Sequence, residues 1–257
     1  MKRTLLAACL CLAALPRPMR ADESDAAEAA AEAYETDRPG ELENPYALPA
    51  GAAESVDYLA ELSADARADE FGPGRSAALI ASTLRFGVGG RVEGVVELDT
   101  LLPGGVGFAR LLAKWNFLGG PASDFGLAIA PILRLPVNRT VAGSAGSSAG
   151  VIVPFHVDLE GGWDLEGSSS AIRGPGDDGD SEFQCENQVS LERTLFPNWT
   201  AYVELQVESG EGPPAWGLEF GATDLISSKV LLDLGASLGL GRAADERELY
   251  AGVGWRL

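Results

Sequence analysis

The chain has 257 residues, 46% of them apolar, and sets 19 Lys+Arg against 38 Asp+Glu for a net charge of −19. That balance excludes a nucleic-acid binder, which needs a basic face, while the apolar fraction suffices for a core. Three cysteines and one histidine exclude a disulfide scaffold, a Cys-rich zinc site and a multi-histidine metal centre within one chain.

The N-terminus reads as a secretory signal over residues 1–21. Lys2 and Arg3 precede a short apolar run from Thr4 to Leu15, then Pro16, Pro18 and the small Ala21 lead into Asp22-Glu23-Ser24-Asp25. No later apolar run is long enough for a membrane-spanning helix, which needs about 20 residues. An exported chain of this kind is either soluble or crosses a membrane as a β-barrel. Residues 22–52 form an acidic N-terminal segment. Asp22 to Glu35 is Ala/Glu-rich without an apolar stripe, and Thr36-Asp37-Arg38-Pro39 follows.

From residue 53 to 257 the pattern is period two, the signature of strands. In the stretch from Arg91 to Asp99, Val92, Gly94, Val96 and Leu98 share one face, and Arg91, Glu93, Glu97 and Asp99 share the other. Val151, Val153, Phe155 and Val157 oppose His156, Asp158 and Glu160. Trp199, Ala201, Val203 and Leu205 oppose Tyr202, Glu204 and Gln206. Val230, Leu232 and Leu234 oppose Asp233. Alternation predicts 12 strands near 54–66, 75–87, 91–101, 106–118, 124–136, 150–159, 163–172, 181–193, 198–209, 214–223, 229–241 and 247–257, with the seventh the weakest pattern. These segments match the roughly 9–11 residues that cross a bilayer at a tilt and exceed the roughly 5–6 of ordinary soluble strands.

The expected fold is therefore all-β, an antiparallel up-and-down transmembrane barrel of twelve strands. A soluble β-sandwich that binds a ligand or partner is the alternative. An even strand count puts both chain ends on one side. The connections after even strands are short, and Phe86, Trp115, Phe117, Phe125, Trp163, Phe196, Trp199 and Trp255 fall beside them, where an interfacial aromatic girdle belongs.

In such a barrel the polar faces line the lumen. Arg91, Glu93, Glu97, Asp99, Arg110, Lys114, Arg134, His156, Asp158, Glu160, Glu204 and Asp233 are the candidate lumen-lining residues, with Arg85, Glu186, Glu192, Glu208 and Glu219 on the same faces. Acid-lined pores favour cations. Twelve strands stand between filled 8-stranded barrels and open 16-stranded porins, so the lumen is expected to be narrow or plugged, with residues 22–52 available to fill its mouth.

No catalytic, cofactor or metal assembly is predicted. His156 and Asp158 lack a nucleophile elbow, since Gly143-Ser144-Ala145-Gly146 has the wrong spacing. The acidic loop from Gly174 to Asp180 lacks the EF-hand spacing. The run from Gly235 to Gly241 lacks the Gly-Lys-Ser/Thr of a phosphate loop.

The order of motifs resembles the outer-membrane β-barrel family labelled for a MetA-pathway of phenol degradation. They are Thr36-Asp37-Arg38-Pro39, Leu84-Arg85-Phe86-Gly87 before Arg91-Val92-Glu93, Val151-Ile152-Val153-Pro154-Phe155, Leu159-Glu160-Gly161-Gly162-Trp163, and the close from Gly252 to Leu257. The chain departs in Gly40, where a second acid is usual, and in ending on Leu257 with Trp255 two before. The resemblance implies the outer membrane, delivery by the barrel-assembly machinery, and passage of small molecules, aromatic or cationic among them. It implies no enzyme activity. A barrel without transport is the other membrane alternative.

Overall fold

The computed structural model describes residues 43–62, 77–102, 104–121, 123–138, 146–175, 180–210, 212–240 and 247–257. Residues 1–21, which the sequence suggests as a secretory signal, and Thr36-Asp37-Arg38-Pro39 lie outside these. Twelve strands follow one another: β1 Ala53–Leu62, β2 Ala77–Gly89, β3 Val92–Leu102, β4 Gly105–Leu118, β5 Phe125–Pro136, β6 Ser148–Leu159, β7 Trp163–Pro175, β8 Ser181–Phe196, β9 Trp199–Ser209, β10 Ala215–Ser227, β11 Val230–Gly239 and β12 Arg247–Arg256. Each pairs antiparallel with its sequence neighbours, and β1 pairs with β12 to close a single barrel. One closed sheet replaces the two facing sheets of the alternative sandwich, and closure leaves no strand edge with unpaired backbone groups.

Alternation decides which face each residue takes. On the outer surface of β2–β4 stand Leu84, Phe86, Leu98, Leu111, Trp115 and Phe117, all exposed. On the opposite face of the same strands, Arg85, Glu93 and Lys114 are wholly buried inside. The seventh strand runs the full Trp163–Pro175 although its alternation is faint. Ser168, Ser169 and Ser170 put hydroxyls on both faces, and pairing along its length with both β6 and β8 supplies what the pattern lacks.

The connections after even strands are tight. Between β2 and β3, Gly89, Gly90 and Arg91 all take positive φ. Between β6 and β7, Gly161 and Gly162 do so, a conformation that carries no Cβ penalty for glycine. These turns share one end of the barrel with the start of β1 and the end of β12. Outward-facing Phe86, Trp115, Phe117, Phe125, Trp163, Trp199 and Trp255 border that end.

Candidate functional site

The interior is assembled by register. At the short-turn mouth, Glu54 of β1, Arg85 of β2, Glu93 of β3 and Lys114 of β4 face one another, each 0% exposed. Arg85 donates Nε and Nη2 to the two oxygens of Glu93 at 2.9 and 3.1 Å, and Nη1 to Glu54 Oε2 at 2.9 Å. Lys114 Nζ lies 3.3 Å from Glu93 Oε1 and 3.8 Å from Glu43. Ions taken out of water cost several kcal/mol each unless paired with good geometry. The planar guanidinium supplies that geometry by serving two carboxylates at once.

The segment 43–50 seats in this mouth. Asn44, Pro45, Tyr46 and Leu48 are buried. The Leu48 amide donates to Glu93 Oε2 at 2.8 Å, and the Tyr46 hydroxyl donates to the Ser123 carbonyl at 3.3 Å. Gly126 makes room for the Tyr46 ring, because a Cβ there would lie 2.5 Å from Tyr46 Cε1. Tyr46 also packs against His156, ring centroids 5.5 Å apart, and Asn44 Nδ2 donates to Glu166 Oε1 at 3.4 Å. Residues 43–50 of the chain itself therefore fill this end of the lumen.

Deeper in, the two sides of the lumen differ. On β2–β5 the inward bases Arg85, Lys114, Arg110 and Arg134 are matched by acids. Arg110 pairs with Glu97 at 2.8 Å and Arg134 with Asp99 at 3.6 Å. Between them, inward Val95, Leu112, Ala130, Ile132 and Ile152 bury one another, with Ile172 packed on them. On β7–β11 the described inward positions include Glu166, Glu186, Glu192, Glu204, Glu208 and Glu219 and carry no Lys or Arg. Glu186 accepts amide hydrogens from Gln188 at 3.1 Å and Gln206 at 2.6 Å. Half a circumference separates β4 from β10, so the apolar, charge-balanced side looks across at the acidic one.

A tyrosine cluster completes the acidic side. Tyr58, Tyr202 and Tyr250 pack together. Tyr202 donates to Asp233 at 2.9 Å, Tyr250 to Glu219 at 2.5 Å and Tyr58 to Glu248, while the Tyr202 and Tyr250 hydroxyls meet. Tyr202 and Tyr250 lie against the wall over Gly221 and Gly235. A Cβ at either glycine would fall 2.3 and 2.2 Å from the respective hydroxyl oxygens.

Ten of the twelve candidate residues take inward positions: Glu93, Glu97, Asp99, Arg110, Lys114, Arg134, His156, Asp158, Glu204 and Asp233. Two do not line the wall. Arg91 stands in the β2–β3 turn at φ 64° and donates to the Gly119 carbonyl at 2.6 Å, and Glu160 stands exposed in the β6–β7 turn. Alternation extrapolated past a strand end gave both the wrong place, because turns do not keep period two. Glu54, Tyr58, Tyr250 and the contacts of 43–50 were not singled out. Glu54 and Tyr58 alternate inward with Val56 and carry a signal, whereas 43–50 has no periodicity to find.

These features define a closed 12-stranded antiparallel barrel with an apolar exterior, an ionic interior and a filled mouth. No family model matches the chain, and no curated protein does. Among solved structures it is similar to the COG4313 outer membrane channel from Pseudomonas putida F1, with 16% identity over 87% of this chain and 100% of that one, TM-score 0.64. It is also similar to the NanC porin (10% identity, 80% and 100% covered, TM-score 0.58) and the KdgM porin (11%, 78% and 98%, TM-score 0.55). At such identities the likeness is one of fold. The MetA-pathway resemblance gains no family match.

Proposed function

We propose that this chain is an outer-membrane channel of narrow bore. It passes small molecules, with cations and compounds combining a cationic group and an apolar body favoured. One observation carries this reading: the inward acids of β7–β11, without Lys or Arg among the described residues there, face the apolar strip of Val95, Leu112 and Ile132 across the lumen. Carboxylates lining a pore attract cations, and an apolar strip opposite them accommodates a hydrocarbon or aromatic body. The aromatic permeants implied by the MetA-pathway resemblance fit that pairing.

The membrane part of the proposal rests on the exterior. A continuous band of exposed Leu, Val, Phe and Trp in water would be a large aggregation surface, whereas in a bilayer it is the outward band of a transmembrane barrel. Export by residues 1–21 and insertion by the barrel-assembly machinery complete the route. The structures it is similar to include a channel and porins by name, which agrees with this use of the fold.

The segment 43–50 makes conduction depend on its displacement. A second reading is that the barrel is structural and never conducts, and the burial of Val95, Leu112, Ala130 and Ile132 within the bore favours it. Planar-bilayer recording of the purified protein separates the two. Discrete current steps are expected from the channel. A correctly inserted, heat-modifiable protein that stays silent, also when Asn44 and Tyr46 are both changed to Ala, overturns it.

A further inference from the structure

We propose that the β6–β7 hairpin binds a divalent first-row transition-metal ion such as zinc, with His156, Asp158 and Asp164 as its ligands. His156 pairs directly with Glu166 across the two strands, and Asp158 pairs directly with Asp164. Period two puts all four on the inward face. Ligand atoms of His156, Asp158 and Asp164 all lie within 4.8 Å of one another.

The imidazole is prepared for this role. Glu166 Oε1 lies 3.2 Å from His156 Nδ1, while Nε2 points to Asp158 Oδ1 at 2.5 Å. A carboxylate on the ring nitrogen away from the ion fixes the tautomer and aims the other nitrogen, as is usual for metal-bound histidines. Nε2 then faces the Asp158–Asp164 pair. Two carboxylates directly opposite on adjacent strands repel. His156 is the cationic partner that the described ion pairs give this cluster, and one imidazolium offsets one of three carboxylates. A dication bound by both aspartates removes the repulsion. One nitrogen among the donors favours zinc and its neighbours over magnesium or calcium, which take oxygen ligands.

The hairpin is also tightly closed. Its turn is Glu160-Gly161-Gly162, and the strands remain paired up to Leu159 and Trp163. The site lies where Tyr46 packs on His156 and Asn44 reaches Glu166, so a bound ion would sit at the seat of the N-terminal segment.

The test uses the full-length barrel without a histidine tag, purified in detergent and stripped with chelator. Isothermal titration with zinc, and metal analysis after dialysis, are expected to give one zinc per chain, with magnesium failing to compete. His156→Asn and Asp164→Asn should abolish binding, and Glu166→Gln should weaken it about tenfold or more. Each variant is checked for a heat-modifiable band. Should the variants not fold, cobalt(II) on the wild type decides: visible bands distinct from those of the hydrated ion are expected. Zinc that does not bind, zinc that binds equally to the folded His156→Asn variant, or cobalt bands of the hydrated ion alone overturns the proposal. None of these readouts depends on current through the barrel.

Discussion

Arg85 holds four strands and the N-terminal segment to a single ionic knot. Its guanidinium serves Glu93 and Glu54, and Glu93 in turn takes Lys114 and the Leu48 amide. Removing one partner from a buried ionic group leaves the others charged and unsatisfied, at about 3–5 kcal/mol. Arg85→Met should therefore lower the unfolding free energy of the barrel by that order, read as a fall in the urea midpoint. Glu97→Gln, at the less buried Arg110 pair, should cost clearly less. An unchanged midpoint in Arg85→Met would show that the knot contributes no stability. At this scale the sequence was legible in part. Alternation placed Glu93, Glu97 and Asp99 on one face, but their partners depend on register between strands, which no local pattern contains. Arg91 shows the limit most plainly, since two glycines with positive φ precede it and the strand period has already stopped.

Among the elements, the strands were the most legible part. Period-two runs such as Trp199 to Val207 alternate because one face meets apolar surroundings and the other a polar interior, so each face selects its own residues. The cost of violating this is a prediction. Leu205 faces outward in the middle of β9 and its neighbour Gln206 faces inward. Leu205→Arg should destabilise the inserted barrel by about 2–4 kcal/mol, the usual figure for a basic side chain on the lipid face near the midplane, and Gln206→Arg should not. Reversible unfolding from lipid vesicles measures both, and equal effects would mean the faces are misassigned. The segment 43–50 behaves differently. It joins no strand and holds its place through Tyr46, Leu48 and Asn44, so only an excess of chain before β1 hinted that something fills the mouth. Asn44→Ala with Tyr46→Ala should raise conductance several-fold over the wild type. Unchanged current from a conducting protein would mean the segment is no obstacle.

For the molecule as a whole, the distribution of charge matters more than its sum. The bases within β2–β5 are matched by acids on β1 and β3, whereas β7–β11 turn carboxylates inward without Lys or Arg among the described residues. The composition announced an acidic protein and the alternation an acidic lumen. That the acids gather on one side needs strand order as well: β7–β11 follow one another around the wall, and closure of β1 on β12 sets them opposite the charge-balanced side. A one-sided acidic wall makes a definite electrical claim, and the reversal potential of the conducting protein in a gradient of potassium chloride tests it most directly. A potential of the sign set by potassium is expected, moving toward zero when Glu186, Glu208 and Glu219 are changed together to Gln. A potential of the chloride sign, or one that this triple change leaves unmoved, would contradict it.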